Sequence, residues 1–191
     1  GVGKQMMDAS LEIYENNNVN IASLEAIKEN TKAITLYDKK GFEIVDHLAH
    51  FQNTELASLK VFEEVETNYH FSKGIPIDVI NIPFYTKFVS WQTQWNNARD
   101  GEAIIAYSCE NNVVGYAIYK RRFNENGELA GITLLQCEVN PEVEEKAQPI
   151  KAILNEVYQP HLENVIRSAA NLPQKNEALI EVLKEAGFEV K

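Results

Sequence analysis

The chain of 191 residues is long enough for one large domain or two small ones, and 45% hydrophobic with 24% charged residues is an ordinary globular balance. A formal charge of −10, with no stripe of Lys and Arg interleaved with aromatics, argues against a nucleic-acid partner. The apolar runs are short and broken by charge, far from the roughly 18 residues of a membrane span, and no signal segment opens the chain, so a cytoplasmic protein without a membrane partner is expected.

The chain opens on Gly1-Val2-Gly3-Lys4, a glycine loop followed by a helical pattern of Met6, Met7, Leu11, Ile13 and Tyr14 that Asn16, Asn17 and Asn18 stop. VNIASLEAI over 19–27 predicts a strand. Asn30 and Thr31 offer a helix cap, Ala33, Ile34, Leu36 and Tyr37 supply one apolar face, and Gly41 suits the left-handed position past a helix end. Phe42-Glu43-Ile44-Val45 begins another strand. The stretch over 53–76 fits either a helix or a strand, and GIP at 74–76 is the strongest boundary signal. Two domains follow, residues 1–75 and residues 76–191.

Beyond the boundary, VINIPFY predicts a strand and FVSWQTQWNNA a helix with Trp91 and Trp95 one turn apart as core or interface anchors. EAIIAYSCENNVVGYAIYKRRF predicts a hairpin turning at Asn111-Asn112, and GELAGITLLQCEV the next strand. Cys109 and Cys137 have neither CxxC spacing nor histidine partners, which predicts buried free thiols and no metal site. The chain then ends on EALIEVLKEAGFEVK, a second helix stopped by Gly-Phe.

Aligning Gly41-Phe42 with Gly187-Phe188 sets an offset of 146 positions (187 − 41), and the same offset pairs Asn30 with Asn176 and Asn18-Val19 with Asn164-Val165. The element order agrees as well, which predicts an internal duplication. Under that reading the chain carries one and a half copies of a single α/β module.

The loop chemistry follows from backbone physics. Gly1 and Gly3 let a ligand approach closely, and the amides of Val2, Gly3 and Lys4 at a helix N-terminus favour an anion such as a pyrophosphate. GVGK also matches the end of a nucleotide P-loop, but Gln5 stands where that motif needs Ser or Thr for magnesium.

GVGK followed by a helix, and then LEAIKENTKAITLYDKKGF with its strand, Asn, Ala, Leu-Tyr and Gly-Phe series, resembles the GCN5-related N-acetyltransferase (GNAT) family. The resemblance implies a mixed β-sheet flanked by helices, of which residues 1–75 would be the C-terminal half of a first domain whose opening strands lie in a missing N-terminal segment or come from another chain. It implies acetyl-CoA as co-substrate, held by Gly1, Val2, Gly3, Lys4 and Asn30, with Tyr37 protonating the departing thiolate as an amine attacks the thioester. Transfer through a ternary complex needs no covalent enzyme intermediate. The acceptor would be a small-molecule or peptide amine.

At the offset of 146 the counterparts of Gly1, Gly3 and Tyr37 are Ala147, Pro149 and Leu183, and Glu142, Glu144 and Glu145 put negative charge where a pyrophosphate would sit. Residues 76–191 are accordingly expected to form a degenerate GNAT-like domain that does not bind CoA. Two other readings remain open: a CoA-sensing or interaction module that keeps the fold without turnover, and a purely structural partner domain.

Overall fold

Apolar spacing in the first 16 residues produces helix α1, Val2–Asn16, and Asn30 starts helix α2, Thr31–Asp38, by accepting the Ala33 amide on its side-chain oxygen at 3.2 Å. Beyond α2, Gly41 takes a φ of +85° and its amide bonds the Asp38 carbonyl, a conformation that glycine adopts without steric cost. The protein is described by a computed structural model over residues 1–87 and 90–191. The described residues divide into two compact units, Gly1–Val45 and Asp46–Lys191.

No residue of Gly1–Val45 is buried. The unit contains α1, α2 and no strand among its described residues, so the strands expected over 19–27 and from Phe42 do not form. A strand exists only through a ladder, and none forms among the described residues of this unit; Ile21, Ile27, Ile44 and Val45 are exposed.

The second unit is a mixed seven-stranded sheet with flanking helices. Its elements are β1 (Leu48–Asn53), β2 (His70–Gly74), β3 (Glu102–Tyr107), β4 (Val113–Phe123), β5 (Leu129–Val139), α3 (Ala147–Tyr158), β6 (Ile166–Pro173), α4 (Glu177–Glu185) and β7 (Phe188–Val190). Strand order is β2-β3-β4-β5-β6-β1-β7. The β2-β3-β4-β5 meander is antiparallel, β5 and β6 are parallel across the α3 crossover, and β1 lies antiparallel between β6 and β7.

That topology moves the domain boundary. Phe51 faces both Ala169 and Val190, and His70 faces Tyr107, so backbone ladders tie residues 46–75 into the second unit. The division expected near residue 75 falls instead between Val45 and Asp46. Gly74 ends β2 and Pro76 opens a short 3₁₀ turn, so the GIP signal marks a strand end inside the unit.

One face of the sheet packs against α3, α4 and a 3₁₀ segment at Leu56–Glu63, through a core that includes Phe62, Tyr158 and Phe188. Tyr158 and Phe188 have ring centroids 5.1 Å apart, and Phe62 stacks on Tyr158 at 5.9 Å. Gly115 permits the close approach of α3, because a Cβ there would lie 2.8 Å from Ile153 Cδ1. The opposite face is covered over β3, β4 and part of β5 by Val79, Ile82 and Ala98. Within the segment expected as a Trp-bearing helix, the described residues form only a 3₁₀ turn, Trp91–Thr93; Trp91 is exposed and Trp95 packs on this second core. The rest of that expectation, at 88 and 89, lies outside the described residues.

The hairpin turns where expected, with Asn111 at a φ of +62°. Cys137 is buried, whereas Cys109 is exposed and its thiol reaches the Asn68 carbonyl, which corrects the expectation for that residue.

Candidate functional site

Gly1-Val2-Gly3-Lys4 is the first turn of α1 rather than a loop ahead of it, with Gly1 as the capping residue. The Lys4 amide donates to the Gly1 carbonyl at 3.1 Å, so it is not one of the free donors the sequence suggested. The amides of Val2 and Gly3 lie at the positive end of the helix and make no hydrogen bond among the described residues. No acidic residue occupies that turn, and no side chain caps it.

Helix α2 runs beside this turn. A Cβ on Gly3 would lie 3.8 Å from Leu36 Cδ2, and the Lys40 ammonium pairs with the Asp8 carboxylate. Tyr37, next to Leu36, packs edge-on against Phe42 with ring centroids 6.2 Å apart, and its hydroxyl makes no hydrogen bond among the described residues. Asn30 uses its side-chain oxygen on the Ala33 amide, and its Nδ2 hydrogens meet no acceptor among the described residues. The fold therefore sets the glycine turn against the helix that carries Asn30 and Tyr37.

The corresponding place in the second unit is built differently. Helix α3 starts at Ala147-Gln148-Pro149, where the Gln148 amide bonds the Glu145 carbonyl and the Gln148 side chain accepts the Glu66 amide. Asn176 caps α4 through the Leu179 amide, and its Nδ2 donates to the Cys137 carbonyl at 2.9 Å. The parallel ladder of β5 and β6 ends at Leu134 and Ala169, and Asn176 reaches β5 beyond that point.

Around this end of β5 lies a polar group that the sequence reading did not single out. Tyr116 donates to Gln136 Oε1 at 3.0 Å and accepts the Thr86 amide, while Gln136 donates to the Thr93 carbonyl. Half-buried Glu138 is pushed up to about 7 by burial, partly offset by side-chain hydrogen bonds to Asn176 and Thr86. Burial also raises the Tyr116 phenol and the Cys137 thiol far above their ordinary values. The signal was present as Gln136 and Glu138, two polar residues at period two in a strand whose other residues, Thr133 apart, are apolar.

No group of His, Cys, Asp and Glu suited to a metal occurs among the described residues, and no helix there is long and apolar enough to cross a membrane. No protein-family model matches the sequence, and no curated protein matches it. The chain is similar to a GCN5-related N-acetyltransferase-like protein from Streptococcus suis, at 10% identity and a TM-score of 0.47 over 84% of this chain and 65% of that one. It is similar to a tandem GNAT protein from the clavulanic acid biosynthesis pathway, at 17% identity and a TM-score of 0.47 over 89% of this chain and 58% of that one. A conserved protein of unknown function from Staphylococcus epidermidis aligns at 14% identity and a TM-score of 0.44, covering 98% of this chain and 77% of that one. The chain thus spans less than two thirds of the length of the first two. The solved structures similar to this chain include GNAT-family proteins, one of them a tandem protein.

Proposed function

We propose that this chain is part of an acyl-CoA-dependent N-acetyltransferase, with the acetyl-CoA site at Gly1, Val2, Gly3, Lys4 and Asn30 and with Tyr37 as its general acid. The observation that carries the reading is the glycine-bearing first turn of α1, with no acid in it, set against the helix bearing Asn30 and Tyr37. The residues fit the ligand. Val2 and Gly3 amides would hold the pyrophosphate, the Lys4 ammonium adds positive charge, and the Asn30 Nδ2 would donate to a pantetheine carbonyl.

Acetyl-CoA supplies an activated thioester to an attacking amine. The chain's own part is to fix that thioester and to offer the Tyr37 hydroxyl proton, which no group among the described residues engages, to the leaving sulfur; the proton that the attacking amine sheds to water restores the phenol. The second unit, Asp46–Lys191, with Pro149 in the α3 turn, is read as a GNAT-like domain that does not bind CoA. Acid in the 142–145 stretch adds to that reading. A tandem arrangement with a cytoplasmic location completes the proposal.

The test is a thiol-release assay of the full-length protein with acetyl-CoA and a panel of primary amines and peptides with free amino groups. Acceptor-dependent CoA release supports transfer. Acetyl-CoA binding without release to any amine would favour a sensing module, and no binding at all would favour a structural partner domain.

A further inference from the structure

On the sheet face opposite α3, across β5, β6 and β1 beside the part that the second core covers, lies a cavity of about 420 Å³. Its polar lining comes from His50, Gln52, Arg122, Thr133, Ser168 and Lys191, with no Asp or Glu side chain among the described lining residues. With Arg122 and Lys191 on it, this surface carries a local charge opposite in sign to the chain's net −10.

The strand register arranges these groups. Thr133, Ser168 and Gln52 form one cross-strand row on β5, β6 and β1, and the two hydroxyls lie 3.0 Å apart, so that one of their hydrogens remains to be donated. Arg122 stands at one end, opposite Gly131 on β5, and a Cβ on Gly131 would come within 3.1 Å of its Nη2; the glycine leaves room for the guanidinium over the floor. At the other end Lys191 follows β7, its amide bonded to the His50 carbonyl and its ammonium to Gln52 Oε1 at 2.7 Å. Neither Arg122 nor Lys191 has a carboxylate partner among the described residues. Glu189, opposite Gln52 on the edge strand, is the nearest acid in the row and does not line the cavity.

We propose that this cavity binds a small molecule carrying more than one anionic group, a polycarboxylate or phosphorylated metabolite whose charged ends meet Arg122 and Lys191 while its middle rests on the Thr133, Ser168 and Gln52 row. Arg122 and Lys191 stand on strands separated by β5, β6 and β1, so about 15–20 Å of sheet lies between their backbones, and their long side chains close most of that distance from either end. A single small monoanion cannot satisfy both. The volume suits a metabolite of ordinary size.

The site shares no residue with the proposed acetyl-CoA site, so the two can fail separately. The experiment is amide NMR of the full chain titrated with citrate, repeated for Arg122→Gln, Lys191→Gln and the remote control Lys60→Gln. Saturable shifts centred on Gln52, Thr133 and Ser168 are expected. Affinity should fall by about tenfold or more in each of the first two variants, the usual loss for one charge-assisted hydrogen bond, and stay unchanged in the third. Shifts that do not saturate, that centre on Val2 and Gly3, or that weaken equally in Lys60→Gln would overturn the proposal.

Discussion

Asn30 and Asn176 cap their helices with the same backbone, φ −81° and ψ 64° in one and φ −81° and ψ 65° in the other, and each accepts the amide three residues on, at 3.2 and 3.3 Å. The likeness extends along the offset of 146. Asn18 and Asn164 are both left-handed, at φ +54° and +57°, and Gly41 and Gly187 follow their helices at φ +85° and +75°. The Asn30 amide bonds the Ile27 carbonyl as the Asn176 amide bonds that of Pro173. The Asn176 Nδ2 also donates to the Cys137 carbonyl, whose counterpart at this offset falls before Gly1.

Substituting these two residues should separate their roles. Loss of the cap costs about 1 kcal/mol at either site, but Asn176→Ala also leaves the Cys137 carbonyl without its side-chain donor and should cost about 1–2 kcal/mol more. Urea unfolding of the second unit measures Asn176→Ala, and amide exchange of α2 measures Asn30→Ala. Equal small losses would show that the Cys137 contact is energetically idle.

Removing the Tyr37 hydroxyl should leave folding and acetyl-CoA affinity unchanged, because the ring keeps its edge-on contact with Phe42. Turnover of Tyr37→Phe should drop about 10²-fold or more, as expected for the loss of a general acid. Steady-state kinetics with any accepted amine checks it, and undiminished turnover would remove Tyr37 from the mechanism.

Glu138 should make stability depend on pH. Burial holds its carboxyl protonated in the fold while the unfolded chain ionises it, so stability falls as pH rises from 4.5 to about 7 and then levels. Glu138→Gln should therefore flatten the profile across that window and stabilise the protein at pH 8 by roughly 1–3 kcal/mol. Urea midpoints across that pH range, in wild type and variant, supply the comparison; identical profiles would place the carboxylate in contact with water.

Arg167 is almost wholly buried and donates to the carbonyls of Tyr158, Gln159, Leu162 and Val165, closing the turn that follows α3. Burial lowers its affinity for the proton without a carboxylate to compensate. Arg167→Met should destabilise the second unit by about 3 kcal/mol or more, since several carbonyls lose their donor at once. A loss below about 1 kcal/mol by urea unfolding would mean that water replaces the guanidinium.

The sequence was most legible where structure is decided within a turn of helix. The caps at Asn30 and Asn176, the helix ends at Gly41 and Gly187, and the hairpin at Asn111 all depend on neighbours within a few residues. Strands depend on distant partners, and there the reading failed in two ways. Residues 19–27 have strand composition but no ladder, and residues 48–53, given no element of their own, insert between β6 and β7, more than a hundred residues away. The boundary near 75 failed for the same reason. The GVGK turn was found by its glycines, but which amides are free depended on helix register, and the Glu138 cluster became visible only when Thr86, Tyr116 and Asn176 were brought to one strand end.

The central claim, one acetyl-CoA site at the first turn of α1, is tested most directly by calorimetry of the full-length protein with acetyl-CoA, compared with Gly3→Glu and Ala147→Glu. The account predicts one site per chain, binding abolished or weakened about 10²-fold by a carboxylate in the Gly3 turn, and binding unchanged by the same group at the start of α3. Two equivalent sites, or binding that survives Gly3→Glu and is lost in Ala147→Glu, would contradict it.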